Sequence, residues 1–313
     1  MREISSEDNL NEQEPAAEVA GESVASRGNH GYFAGMEPIS PLYTANLFPP
    51  LYEELDTLLH GLSHDDWDRP TVAGHWLVRD VVAHLLHGDL RKLAAYRDGH
   101  PLRPSRPITS YAELVGFINS LNDQFIEPAR ILSGRLLREL LAFTGPMVCE
   151  LVASLPPHGS SLFAVHWAGE SESENWLDTG REYTERWHHQ MQIRKSVGAP
   201  ALLERRWLFP LLDLSMRAVP VAYRDTSAPA GAAVVVTVGG DGGSSWSLVR
   251  EDDEWKLFRG QVPSPTTTVT MEGEHAWRLF FNALPAHEAR QRLVVSGDAS
   301  LAEPLFGARS VMV

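Results

Sequence analysis

Disulfide chemistry is almost absent from this sequence: its 313 residues contain one cysteine, Cys149. A single thiol excludes an internal disulfide framework. It lies in the apolar run Met147-Val148-Cys149-Glu150-Leu151-Val152, so it reads as a small core residue rather than a reactive thiol. Positive charge is scarce as well. There are 27 Lys+Arg against 41 Asp+Glu, a formal charge of -14, and no Lys/Arg-rich run makes a local exception. That balance argues against a nucleic-acid partner. No run of about 18 apolar residues is present, so no membrane-spanning helix is expected. The first residues have neither a basic start nor an apolar core, so no secretory signal is expected and the cytoplasm is the default compartment. Familiar catalytic signatures are also missing. There is no His-Glu-x-x-His motif. The run Gly239-Gly240-Asp241-Gly242-Gly243 sits between strand-like segments without a following Lys, so it reads as a turn rather than a phosphate loop. Ser160 and Ser161 lack the strand-turn-helix context of a nucleophile elbow.

What is present is a chain of two textures behind an acidic lead. Residues 1–40 hold eight acidic residues against two arginines, and residues 1–36 show no sustained apolar period, so they are expected to be a disordered acidic tail. Apolar residues then recur at helical spacing. Helices are expected over about 43–62, 77–98, 111–132, 134–155, 176–197 and 202–223, with Pro49 and Pro50 near a first turn and Gly99, Pro156 and Gly198 marking ends. A strand-like patch, Leu162-Phe163-Ala164-Val165, interrupts this half. After Asp225 strands take over. Val234–Val238 and Trp246–Arg250 flank the Gly-rich turn as a hairpin, followed by strands at Trp255–Phe258, Thr266–Thr270 and Leu293–Val295, a short helix at 274–282 and a last helix at 299–306. Strands grouped after helices indicate an α+β protein with room for about two domains. No internal repeat is visible.

One helix carries the residues of most chemical interest. Glu185 and His189 are four apart in Thr184-Glu185-Arg186-Trp187-His188-His189-Gln190, which stacks a carboxylate and an imidazole on one helix face. The imidazole of His84, on the second helix, is a candidate third ligand for a metal held inside the bundle. Three protein ligands leave a position open on zinc, and catalysis needs that opening. Periodicity by itself argues against burying this pair. The apolar stripe of the helix is Leu177, Tyr183, Trp187 and Met191, and Glu185 and His189 face away from it, beside Asp178 and Gln192. Read alone, they form a solvated face. His188, three residues from Glu185, competes with His189 but leans toward the stripe. Asp80, one turn before His84, is either a hydrogen-bonding orienter of that imidazole or a helix-start charge. His87 lines the pocket or faces solvent. Trp76, His166, Trp167 and Trp176 are candidates for the pocket wall.

Two stretches carry a family resemblance. Gly74-His75-Trp76-Leu77-Val78-Arg79-Asp80-Val81-Val82-Ala83-His84-Leu85 resembles the Trp, then Arg-Asp-Val-x-x-His-Leu, signature of the mycothiol-dependent maleylpyruvate isomerase family. Glu185-x-x-x-His189 resembles its second signature. Val295-Ser296-Gly297-Asp298-Ala299-Ser300-Leu301 is similar, more loosely, to its closing strand-Gly-Asp-helix pattern. The resemblance implies a DinB-like four-helix bundle over residues 37–200, then a C-terminal helix and small α+β domain over 201–313. It also implies a divalent metal, most often zinc, held by His84, Glu185 and His189. The second cofactor would be a low-molecular-weight thiol such as mycothiol, and the ligand a small-molecule substrate. In the family's reaction the thiol adds to a conjugated double bond, rotation follows, and the thiol leaves. Relatives in the superfamily are S-transferases or hydrolases, so a metal-activated water acting on a small amide or ester is the alternative, and a non-catalytic metal-binding module a further one. The family's C-terminal region supplies an arginine for an acidic substrate; Arg217, Arg290 and Arg292 are its candidates here. A monomer or a homodimer is equally compatible with the sequence.

Overall fold

The computed structural model describes residues 35–311. The tail expected over 1–36 therefore lies outside the described residues, apart from its last two. The described residues belong to one compact unit.

Helix α1 (Phe48–His60) begins with its two prolines at the first positions, where their missing N–H groups cost nothing. Helix α2 (Val78–Lys92) continues through one π-helical turn, Leu93–Arg97. Helices α3 (Tyr111–Ala129) and α4 (Gly134–Ser154) start at Ser110 and Ser133, whose hydroxyls accept backbone N–H bonds from Glu113 and Leu136. Helix α5 (Asn175–Val197) ends at Gly198, whose φ of 71° is the left-handed cap that glycine adopts without strain. Helix α2 packs on α3, α4 and α5, and α1 on α4 and α5. Leu55 and Leu59 of α1, Val78, Val82 and Leu86 of α2, Leu137 and Leu141 of α4, and Ile193 of α5 fill the space between them.

The expected helix over 202–223 is two helices, α6 (Arg205–Ser215) and α7 (Ala218–Tyr223), bent at Met216-Arg217 ahead of Pro220. Strands β2 (Ala233–Gly239), β3 (Ser244–Glu251), β4 (Glu254–Gly260) and β5 (Thr267–Glu272) follow, then helices α8 (Gly273–Phe280) and α9 (Ala286–Arg292), and strand β6 (Val294–Gly297). A further strand, β1 (Met36–Pro38), comes from the other end of the chain and pairs antiparallel with β4. The sheet order is β1-β4-β3-β2-β5-β6, antiparallel throughout except for β2 with β5. This confirms an α+β protein, helical bundle first and sheet second. Strand β1 and helix α9 escape the sequence reading because each is too short to show a period. The strand-like patch at 162–165 is not a strand; it leads into a single 3-10 turn, His166–Ala168, beside the cavity described below.

Alternation along β2 explains how both sheet faces are used. Val234, Val236 and Val238 join the main core, while Ala233 and Val235 point to the opposite face with Val249, Phe258 and Val262. Met36 of β1 covers that second face. The main core also takes in Trp207, Leu208 and Leu211 of α6, Trp277 and Phe280 of α8, and the stripe of α5, namely Leu177, Tyr183, Trp187 and Met191. Helix α5 is therefore sandwiched. Its apolar stripe is spent on α6, α8 and the sheet, which turns its polar face inward to the bundle. That placement corrects the solvated-face reading of Glu185 and His189.

Among the described residues, no helix is long and apolar enough to cross a membrane.

Candidate metal centre and its cavity

Helix α2 contributes His84 and helix α5 contributes Glu185 and His189. One ligand atom from each lies within 4.8 Å of the others. His189 is buried; Glu185 and His84 are half-buried. The ring centroids of His84 and His189 are 4.4 Å apart, and Trp76 covers both at 5.0 and 6.2 Å. Gln192, one turn beyond His189, fixes that ring: His189 Nδ1 donates to Gln192 Oε1 at 2.8 Å. Nε2 then faces the Glu185 carboxylate, 3.4 Å away. His84 Nδ1 is buried with no hydrogen-bond partner. Burial, reinforced by His189 beside it, holds the His84 imidazole well below its usual range, so it stays neutral. For Glu185, burial pushes the carboxyl up, but the bond with His189 and the charges of His188, His189 and Arg181 outweigh it and keep it ionised. Two imidazoles and one carboxylate are a donor set that suits zinc and its neighbours. The residues fit a divalent cation.

The neighbouring candidates separate cleanly. His188 is buried with its Nδ1 donating to the Thr184 carbonyl at 2.9 Å and its ring stacked on Phe281 at 4.4 Å. Burial, with His189 adjacent, pushes it down to about 3. It lines the cavity but presents a ring already committed to α5 and to the segment after α8. Asp80 does not orient His84. Its Oδ2 accepts from Leu77 N at 3.0 Å, closing the start of α2, and Arg130 grips both of its oxygens at 2.9 and 3.0 Å. The helix-start reading is the correct one, because the carboxylate points back along the helix toward its unpaired amides. His87 neither lines the cavity nor faces solvent; it is 8% exposed and stacked on Phe125 at 4.6 Å. Trp76, His166 and Trp167 line the cavity, His166 from its exposed rim. Trp176 does not; it donates to Glu174 at 2.7 Å with Arg217 over its ring.

The metal-type cluster opens into a cavity of about 610 Å³. Helices α2 and α5 supply its polar walls, and Leu102, Leu114, Ile118, Leu162 and Phe163 an apolar flank. On the polar side lies a buried ion cluster that no local sequence pattern announces. Asp178 Oδ2 accepts from Lys92 Nζ and Tyr96 Oη, each at 2.6 Å, and Oδ1 from Arg181 at 2.7 Å. Burial pushes this carboxyl up, but Arg181 and Lys92 outweigh it and hold it well below the usual range. Beside it Arg186 pairs with Asp89 at 2.6 Å, and Thr144 donates to the other Asp89 oxygen at 2.7 Å. The three C-terminal arginines considered from sequence are all engaged outside the cavity wall. Arg217 donates to the Ser40 carbonyl at 2.7 Å, Arg290 pairs with Glu303 at 2.7 Å and Arg292 with Glu288 at 3.4 Å.

This constellation falls within residues 48–194, which match the family model described as the mycothiol maleylpyruvate isomerase N-terminal domain. The matched residues hold all three members of the metal-type cluster. Among solved structures, the chain is similar to the mycothiol-dependent maleylpyruvate isomerase, with a TM-score of 0.50 and 11% identity over 82% of this chain and 92% of that one. A point mutant of the same isomerase gives the same values. At that identity the likeness establishes the fold, and it extends past the domain into the C-terminal sheet region. No curated protein sequence matches this chain.

Proposed function

We propose that this protein is a metal-dependent enzyme of the maleylpyruvate isomerase type, acting with a low-molecular-weight thiol such as mycothiol on a small conjugated substrate. The observation that carries this reading is the convergence of His84, Glu185 and His189 at the wall of a large cavity inside the matching domain. Three ligands rather than four favour an open, catalytic site over a closed structural one. When bound, a cation such as zinc would lower the pKa of a thiol or water beside it by several units and so make a nucleophile available near neutral pH.

The chain's own residues perform the rest. His84 stays neutral, His189 Nε2 is free to ligate, and Glu185 supplies one negative charge. Gln192 holds the His189 ring in the ligating tautomer. Trp76 shields both imidazoles on one side, and the apolar flank gives a substrate's carbon skeleton a surface to lie against. Compartment and oligomeric state are not part of the argument; a cytoplasmic enzyme, as monomer or homodimer, is compatible with it.

Elemental analysis tests the reading. The purified protein is expected to hold about one divalent metal per chain, and Glu185→Ala to lose it while keeping its helical content. Titrating the cobalt-substituted protein with thiols should then shift its absorption spectrum. A wild type that neither contains nor takes up zinc, cobalt or manganese would sink the proposal. Metal bound without a spectral response to thiols would instead favour hydrolysis by bound water.

A further inference from the structure

We propose that Arg91 is the anchor for a carboxylate of the substrate, holding that substrate across Gly88 with its reactive end at His84, Glu185 and His189. This deepens the functional reading above and rests on it for the position of the reactive end.

His84, Gly88 and Arg91 all lie on helix α2. Residues seven apart return to within about 20° of the same direction and lie about 10 Å apart along the axis. His84 and Arg91 therefore share one face, and both line the cavity. Gly88 lies between them on the same wall, and a Cβ built there meets nothing within 4 Å. The space over Gly88 is cavity rather than packing, so a small molecule can lie along the helix from Arg91 toward His84. Arginine side chains in helices lean toward the N-terminus, which here is toward His84.

Arg91 is set apart by its lack of a partner. Four basic side chains of α2 and α5 line the cavity: Arg91, Lys92, Arg181 and Arg186. Lys92 and Arg181 are bound by Asp178, and Arg186 by Asp89. Arg91 makes no hydrogen bond or ion pair among the described residues, though it is half-buried. Burial pulls its basicity down, the nearby Glu182 charge supports it and Arg181 opposes it. Glu182 is drawn toward the other two arginines instead: its Oε1 accepts from Arg181 at 2.6 Å and its Oε2 faces Arg186 at 4.0 Å. Arg91 also bears on His87, whose basicity falls to about 4 through burial and then the Arg91 charge.

A half-buried guanidinium with no protein acceptor keeps its donors available to a ligand that enters the cavity. Its five donors match a carboxylate in two parallel bonds, a fit that lysine does not reproduce. Elsewhere the cavity is lined by Leu114, Ile118 and Phe163 together with Asn119 and Asn122, so the wall offers Arg91 no acidic partner there. The spacing selects a small acid, because about 10 Å of helix separates anchor from cluster. The C-terminal arginines are already engaged elsewhere. The one unpaired cation on this wall therefore comes from the bundle itself.

Calorimetric titration of the full-length protein with maleate, and with its neutral diamide, tests the assignment. Wild type, Arg91→Gln and Arg91→Lys would be compared, with metal content measured in each. Arg91→Gln is expected to weaken maleate roughly 10- to 100-fold while leaving diamide affinity and metal content unchanged, and Arg91→Lys to recover only part of the loss. Equal maleate affinity in wild type and Arg91→Gln overturns the proposal, as does a wild type that binds no maleate. A loss confined to glutathione, an anionic thiol, overturns the assignment to the substrate. Repeating the maleate titration on chelator-treated protein separates the two readings. Dependence on Arg91 that persists there supports the anchor even if the protein proves to need no metal.

Discussion

Helix α5 carries two polar clusters that look alike in sequence and differ in completeness. At its start, Asp178 is wholly buried, and three donors on α2, its π-turn and α5 saturate both of its oxygens. Two turns later, Glu185 is half-buried and faces one imidazole at 3.4 Å, with the orphaned Nδ1 of His84 close by. The first cluster is closed and holds helices together. The second is open: three ligand-type atoms converge within 4.8 Å of one another on the cavity wall. Burial and ionisation are common to both; what separates structure from chemistry is whether the partners are already present.

Three substitutions would break or sharpen that contrast. The largest effect is expected from Asp178→Ala, which strands Lys92 and Arg181 without their shared carboxylate. Removing one member of a buried pair costs about 3–5 kcal/mol, and urea denaturation would report it. An Asp178→Ala variant as stable as the wild type would show the cluster to be dispensable. The pH dependence has a defined sign. The folded Asp178 carboxyl titrates below its unfolded value, so its contribution is complete above about pH 4 and is lost only as the pH falls through the depressed folded value. Stability measured from pH 8 down to 5 should not change on account of this group.

Gln192→Leu acts on the open cluster instead. It removes the acceptor that holds His189 in its ligating tautomer, and metal affinity should fall about 10- to 100-fold with little change in folding stability. Competition with a metal-chelating dye would measure this; unchanged affinity would mean that packing alone orients the ring. The smallest effect is expected from His188→Phe. The stack on Phe281 is retained and one hydrogen bond to the Thr184 carbonyl is lost, for about 1 kcal/mol in thermal unfolding and no loss of bound metal. Loss of the metal in this variant would exchange the roles of His188 and His189.

Much of the bundle was legible because its helices are long and amphipathic. The hairpin was legible from a valine run and a glycine-rich turn. The four-residue spacing of Glu185 and His189 survived as well, since it depends only on helical geometry. The partner of Asp80 was not legible. Arg130 comes from the end of α3, fifty positions away, and nothing local distinguishes a carboxylate that closes a helix from one that orients an imidazole. The burial of α5 on both sides was hidden for a related reason. Its stripe predicts one buried face, and only the arrival of α2 against the other face makes the polar side interior. Arg91 was visible as a residue seven after His84, but its significance lies in lacking a partner, which no sequence displays.

By itself, then, the sequence determined the helical and strand segments, the α+β order and the residue types able to ligate a metal, because these follow from periodicity and from chemistry local to a few turns. Tertiary structure alone decided which polar groups are satisfied. It closed Asp178 with Lys92, Tyr96 and Arg181, left Glu185, His189 and His84 converging on one point, and set Arg91 unpaired above Gly88. Whether a charge finds its counter-charge depends on which distant elements pack beside it, and that is settled only when the whole chain buries its apolar surface at once.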